Sequence, residues 1–103
     1  MKAIFLVLLS AFLISCTWVK PTEESRQVSV VKEFNVKDCK RLGSTTSIVT
    51  DRLGSLERSP EKVNTELATL AKNEAAKMGG DSVVPNGPTS NGSRKFDIYK
   101  CSQ

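Results

Sequence analysis

The chain has 103 residues and a formal net charge of +4, from 15 lysine and arginine and 11 aspartate and glutamate side chains. This length allows one small domain. The positive excess is small and interspersed with acids, which excludes the basic stripe that nucleic-acid binding requires. The sequence contains no histidine, which excludes the side chain that most often serves as a general acid–base group near neutral pH.

The N-terminus has the layout of an export signal. After the positive Lys2, residues 3–13 are almost wholly apolar, and this run is shorter than the roughly 20 residues that a membrane-spanning helix needs. The run ends in the sequence Leu13-Ile14-Ser15-Cys16. A branched apolar residue followed by a small residue and a cysteine resembles the lipobox of bacterial lipoproteins. An ordinary export signal that stops near a cysteine is the alternative.

We therefore predict a lipoprotein signal peptide at residues 1–15 and lipidation, with acyl chains such as palmitate, on the thiol of Cys16. Stable anchoring needs more than one chain. The next residue is Thr17 rather than aspartate, which by resemblance to Gram-negative sorting signals implies the periplasmic face of the outer membrane rather than the inner membrane. Residues 16–27 are predicted to be a lipidated tether, because they have little apolar surface to bury, and about ten extended residues would reach about 35 Å. Residues 28–103 then form the predicted periplasmic domain.

Two further cysteines, Cys39 and Cys101, form an even pair in a chain that is predicted to be exported. The periplasm is oxidising, so we predict a disulfide between them. This bridge would close most of the domain into one loop and stabilise it by roughly 4 kcal/mol by restricting the unfolded chain. The alternative is a redox-active or metal-binding pair, which the lack of a Cys-x-x-Cys spacing and of histidine disfavours.

The residue pattern predicts two strands in the first half of the domain. Alternating apolar residues indicate a first strand at residues 28–32, and β-favouring residues indicate a second at residues 40–49. Gly43 within the second strand indicates a bulge or a close backbone contact. Residues 35–38 are predicted to form a turn and residues 51–59 a loop.

A helix of about 18 residues is predicted next. Ser59 is its predicted N-cap and Pro60 its first residue, and Gly79-Gly80 provides a left-handed stop at the other end. Between them lies one apolar stripe at helical spacing: Val63, Leu67, Leu70, Ala71, Ala75 and Met78. We expect the stripe to pack on a sheet, and binding of a partner protein is the alternative.

The chain beyond the helix predicts a short strand at residues 81–84, a loop at residues 85–93 with turn pairs at Asn86-Gly87 and Asn91-Gly92, and a last strand at residues 95–100. The predicted fold class is α+β, with one long helix packed on a small, mostly antiparallel sheet, order β-β-α-β-β, and one disulfide. The predicted core consists of Val28, Val30, Leu42, Ile48, Val63, Leu67, Leu70, Met78, Val83, Phe96 and Ile98.

The order of these motifs resembles a family of small proteobacterial outer-membrane lipoproteins that is defined by a domain of unknown function. The resemblance covers about residues 28–101. It rests on the lipobox and on three runs: Asp38-Cys39-Lys40-Arg41-Leu42-Gly43, Ala75-Ala76-Lys77-Met78-Gly79-Gly80-Asp81 and Tyr99-Lys100-Cys101. The layout is more distantly similar to the lipoprotein that senses envelope damage for the Rcs phosphorelay, another disulfide-bridged α/β domain on a tether.

No residue pattern in the chain predicts catalysis, a cofactor site or a metal site. The acidic residues of the helix, Glu61, Glu66 and Glu74, are predicted to lie on a solvated surface, and no carboxylate pair is spaced to face one site. The sequence therefore predicts a non-catalytic interaction or envelope-stress module with an envelope protein as partner. The alternative is a module that binds lipid headgroups or the peptidoglycan surface.

Overall fold

The structure, a computed structural model, describes residues 19–53 and 56–102. The predicted signal peptide and Cys16 lie outside these residues. The strands are β1 (Ser29–Val30), β2 (Lys40–Ile48), β3 (Arg52–Leu53), β4 (Leu56–Glu57), β5 (Ser82–Ser90) and β6 (Ser93–Lys100), and the helix α1 is Pro60–Lys77. Two short 3-10 helices, Glu24–Gln27 and Glu33–Val36, flank β1.

One face of a four-stranded sheet is covered by α1. The strand order in the sheet is β1-β5-β6-β2, and β6 pairs antiparallel with both β5 and β2 while β1 runs parallel to β5. The α+β fold, with its β-β-α-β-β order in the main sheet and its mostly antiparallel pairing, is thus confirmed. The turn from β5 to β6 uses Asn91 and Gly92, which both have positive φ values of 51° and 71°, as tight hairpin turns require.

Residues 85–90 form part of a strand, so the prediction of a loop there was wrong. β5 continues through Pro85 and Pro88 to Ser90, with a shift of register between Asn86 and Ser90. Proline lacks the N–H that an inner strand needs on both sides. It is tolerated here because β1 pairs only with Ser82 and Val83, which leaves the rest of β5 at an edge of the sheet.

Two other strand predictions also change. The first strand was expected at residues 28–32 and spans only Ser29–Val30. The loop expected at residues 51–59 contains the small hairpin of β3 and β4, whose partners Arg52 and Glu57 form an ion pair of 2.8 Å. Both differences involve very short strands, whose formation depends on a partner rather than on a long alternating pattern.

The ends of α1 agree with the local signals. The helix begins at Pro60, although the preceding Ser59 makes no side-chain hydrogen bond as a cap. At the other end, the N–H of Gly79 donates to the carbonyl of Ala76 at 3.1 Å and the N–H of Gly80 donates to that of Ala75 at 2.8 Å. Gly79 has a φ of +80°. This pair of bonds around a left-handed residue is a Schellman motif.

The core lies between α1 and the sheet. Its buried apolar side chains form one cluster of Val28, Val63, Leu67, Ala71, Ala75, Val83, Phe96 and Ile98, and Leu42 packs partly buried against it. Leu70 is half-buried. The sequence did not single out two further buried side chains, those of Val36 and Val84.

Three predicted core residues are exposed. Ile48 is 70% exposed because the register of β2 shifts between Arg41 and Gly43. After this bulge, the side chains of β2 alternate between the two faces of the sheet in the opposite phase. Ser47 therefore lies on the α1 side, where Leu42 also lies, and Ile48 lies on the other face. Val30 is 43% exposed on the two-residue edge strand, and Met78 is 38% exposed where α1 ends.

Residues 20–27 pack on α1. They were predicted to be part of a free tether, so the prediction is corrected for these residues. The Asn73 side chain donates to the carbonyl of Lys20 at 2.9 Å and accepts from the N–H of Thr22 at 3.0 Å. Ser25 is only 1% exposed, and its hydroxyl donates to the carbonyl of Thr22 at 2.7 Å. The segment stays largely exposed, and its one buried side chain, Ser25, is tolerated because its hydroxyl is hydrogen-bonded.

Candidate functional site

The predicted disulfide is present at one end of the sheet. Cys39 directly precedes β2 and Cys101 directly follows β6, and the adjoining Lys40 and Lys100 are cross-strand partners. The antiparallel pairing therefore brings the two cysteines together, with a Cα–Cα distance of 4.4 Å and an S–S bond of 2.08 Å. We call this region, with Asp81 beside it, the disulfide end of the domain.

Asp81 holds the chain after β6 in place. Its carboxylate accepts the N–H groups of Cys101 and Ser102, both at 2.8 Å, and the hydroxyl of Ser82 at 3.1 Å. Hydrogen bonding from the Ser102 side chain and from these backbone N–H groups holds the pKa of Asp81 well below its usual range, against an opposing effect of burial. The position of an acid directly after the Gly79-Gly80 stop is the one signal of this role in the sequence.

Glycines bring the helix end close to the sheet at the same place. A Cβ atom on Gly80 would lie 2.7 Å from Cγ2 of Ile98 and 3.1 Å from the carbonyl oxygen of Tyr99, and one on Gly43 would lie 3.1 Å from Cε of Met78. The three runs that carry the family resemblance thus meet around the bridge. Close packing and hydrogen bonding explain the residue types in these runs, which indicates that the runs have a structural role in joining the end of α1 to the sheet.

The opposite end of the domain contains an open cleft. It lies between the β3–β4 hairpin, the start of α1 and the turn from β5 to β6, and its volume is about 510 Å³. We call it the cleft; its polar lining includes Asp51, Arg52, Arg58, Asn64, Thr89 and Arg94.

Arg58 and Glu66 form a short and largely buried ion pair beside the cleft. The guanidinium donates to both carboxylate oxygens of Glu66, at 2.8 and 2.7 Å, and to the carbonyl of Thr50 at 2.7 Å. The two side chains are only 12% and 17% exposed, so the prediction of a solvated Glu66 was wrong. Hydrogen bonding to Arg58 lowers the pKa of Glu66, and hydrogen bonding to Glu66 raises the pKa of Arg58. Both groups therefore stay charged near neutral pH.

The remaining polar groups of the cleft come from elements far apart in the chain. The Thr89 hydroxyl of β5 donates to Oδ1 of Asn64 on α1 at 2.6 Å. The Nε of Arg94 donates to the carbonyl of Gly87 at 2.9 Å, and its guanidinium lies 5.8 Å from the ring centroid of Phe96. Such a surface offers hydrogen-bond donors and acceptors at fixed positions. Sequence reasoning missed it because its members are neighbours only after the sheet has formed.

Comparison with known proteins gives a family and no named function. No curated protein and no solved structure matches the chain. Over the residues that the structure describes, no helix is long and apolar enough to cross a membrane. The family described as a domain of unknown function, DUF4156, matches residues 19–101, which include the segment docked on α1. The chain belongs to this family.

Proposed function

We propose that the protein is a lipoprotein, anchored through Cys16 at the periplasmic face of the outer membrane, whose domain is a non-catalytic module that binds another envelope protein. The cleft is the observation that supports the binding role. It is open, and its lining combines side chains from three separate parts of the fold. A role in envelope stress is the finer form of the proposal. It is supported by the resemblance of layout to the Rcs sensor lipoprotein.

The chemistry of the cleft favours binding over catalysis. General acid–base catalysis needs a group that exchanges protons near the working pH. The pKa of Glu66 is shifted downward and that of Arg58 upward, so neither group does so near neutrality. Arg52 is paired with Glu57, and Arg94 is held by a backbone carbonyl. Groups with fixed charge and fixed position suit recognition of a polar protein surface.

The anchor is tested by metabolic labelling with an alkyne analogue of palmitate, followed by intact-mass analysis of the protein from membranes. The proposal expects label on the wild type, loss of residues 1–15, and no label on Cys16→Ser. Cys39 and Cys101 serve as internal controls because the disulfide leaves them no thiol to acylate. A wild-type protein without lipid would overturn the anchoring.

The binding role is tested by placing a photo-crosslinking residue at Asn64, which lines the cleft, and in parallel at Thr65. Both positions are exposed on α1, and they point about 100° apart because consecutive helical residues are rotated by that angle. We expect one identified envelope protein to be captured in living cells from position 64 and not from position 65. Capture should be lost when Arg94→Glu is added. Equal capture at both positions, or none, would contradict the proposal.

A second candidate function, binding to anionic lipid headgroups or peptidoglycan, is favoured by one observation at the disulfide end. Lys40 and Lys100 are direct cross-strand partners and both are exposed, and like charges in this position repel each other. An anionic polymer would relieve that repulsion. Salt-sensitive sedimentation with isolated sacculi or phosphatidylglycerol vesicles, reduced in the Lys40→Gln/Lys100→Gln variant but not in Lys62→Gln/Lys95→Gln, would support this function over the first.

A further inference from the structure

The chain leaves the domain from the outer surface of α1. At about 100° per residue, Asn73 lies about 140° around the helix from the centre of the stripe formed by Val63, Leu67, Ala71 and Ala75. This stripe is the buried side of α1. The Asn73 amide holds both Lys20 and Thr22 through hydrogen bonds of 2.9 and 3.0 Å. The N-terminal part of the described chain therefore lies on the side of α1 that faces away from the sheet.

Little chain is left between that point and the proposed anchor. Only four Cα–Cα steps separate Lys20 from Cys16, and each step spans about 3.8 Å, so the two Cα atoms lie within about 15 Å of each other. A free tether up to residue 27 would have allowed more than twice this distance. Docking of residues 20–27 thus shortens the free segment between the proposed anchor and the domain.

The short segment between Cys16 and Lys20 restricts which surface of the domain can contact the membrane. The sheet carries Lys95, Asp97 and Tyr99 on its open face, because side chains alternate along β6 and the neighbouring Phe96 and Ile98 are buried under α1. A helix with its side chains is about 10–12 Å across, and the sheet lies behind it. The open face therefore lies farther from the outer surface of α1 than the short segment from Cys16 to Lys20 can span.

We infer that the outer side of α1, around Thr69 and Lys77 and with residues 20–22 docked on Asn73, lies against the phospholipid surface, and that the open face of the sheet points away from it. This inference rests on the proposed lipidation of Cys16. The headgroup region is a suitable partner because this part of the helix surface is polar: Lys72 is half-buried, and the exposed Lys77 forms an ion pair of 3.7 Å with Glu74. Lysine side chains near the surface are attracted to anionic lipid headgroups.

The test uses the full lipidated protein in phosphatidylcholine nanodiscs, with and without a lipid whose headgroup carries chelated gadolinium. Paramagnetic broadening of backbone amide signals is measured by NMR for both samples. We expect strong broadening from Thr69 to Lys77 and little at Thr46 and Lys95 on the open face. Equal broadening on the two sides, or stronger broadening on the sheet, would overturn the inference.

A pair of helix variants tests the cause of the orientation. Asn73→Ala removes both hydrogen bonds to the docked segment, so the contrast between α1 and the open face should fall. Thr65→Ala, also on the outer side of α1, loses only a bond to the carbonyl of Glu61 within the helix and should keep the contrast. If Asn73→Ala left the difference in broadening between α1 and the open face unchanged, the Asn73 hydrogen bonds would not be what sets the orientation. Intact mass separates the two proposals, since a lipidated protein without contrast contradicts the orientation alone and a protein without lipid contradicts both.

Discussion

The disulfide end and the cleft end of the domain are stabilised by different kinds of contact. At the disulfide end, a covalent bond joins Cys39 to Cys101, and Asp81 hydrogen-bonds to backbone N–H groups. At the cleft end, the contacts are made by side chains, which bond to one another, as in the Thr89–Asn64 bond and the Arg58–Glu66 pair, or to backbone carbonyls, as Arg58 and Arg94 do. Side chains can be replaced without changing the fold, whereas the joint at the disulfide end constrains the backbone. We therefore expect substitutions at the disulfide end to affect stability and those at the cleft to affect binding.

The largest expected effect is the loss of the disulfide. The Cys39→Ala/Cys101→Ala variant should be less stable by about 4 kcal/mol, because the bridge restricts the unfolded chain. Chemical denaturation, monitored by circular dichroism, measures this change. Wild type in the presence of reductant is the control and should match the variant. An unchanged denaturation midpoint would show that the bridge does not stabilise the joint.

Close packing of the helix end gives the next effect. Gly80→Ala should cost about 3 kcal/mol, the upper end of the usual cost of overpacking, because the new methyl group would lie 2.7 Å from Cγ2 of Ile98 and 3.1 Å from the carbonyl oxygen of Tyr99. Gly79→Ala is the matched control. Its Cβ meets no atom within 4 Å but requires a left-handed conformation at φ +80°, which costs about 1–2 kcal/mol. Thermal unfolding should rank Gly80→Ala below Gly79→Ala, and the reverse order would contradict the packing argument.

Asp81 predicts a pH dependence of stability at the disulfide end. Folding lowers its pKa from an ordinary value of 3.8, so the ionised carboxylate stabilises the fold above that pH, and the contribution is lost as the pH falls through the folded pKa. Asp81→Asn should therefore lower the Tm at pH 7, and its difference from wild type should shrink at strongly acidic pH. Asp38→Asn, at an exposed position nearby, should show no such difference. A constant gap at all pH values would refute this role.

The smallest stability effect is expected at the cleft. A double-mutant cycle of Thr89→Ala and Asn64→Ala should give a coupling energy of at most about 1 kcal/mol, as for an ordinary neutral hydrogen bond. Thr89→Ala, which alters the lining of the cleft, should nevertheless reduce crosslinking from position 64 to an envelope partner. A coupling energy as large as the effect of the disulfide would remove the distinction between the two ends.

Much of the fold could be predicted from local signals in the sequence. Pro60 and Gly79 define the ends of α1, because the fixed φ of proline and the left-handed conformation of glycine act through immediate chain neighbours. The pairing of Cys39 with Cys101 followed from their being the two cysteines left after Cys16 was assigned to lipid. The proposed lipidation site, Cys16, likewise follows from the short lipobox sequence alone.

Only the tertiary structure decided the phase of β2, the length of β5 and the docking of residues 20–27. The bulge between Arg41 and Gly43 placed Ser47 rather than Ile48 under α1. Pairing with β6 extended β5 through two prolines. In each case the deciding contacts come from residues far away in the chain, and alternation or polarity within a short window cannot reveal them. The same reason explains why the cleft and the outer face of α1, on which both proposals depend, emerged only from the folded chain.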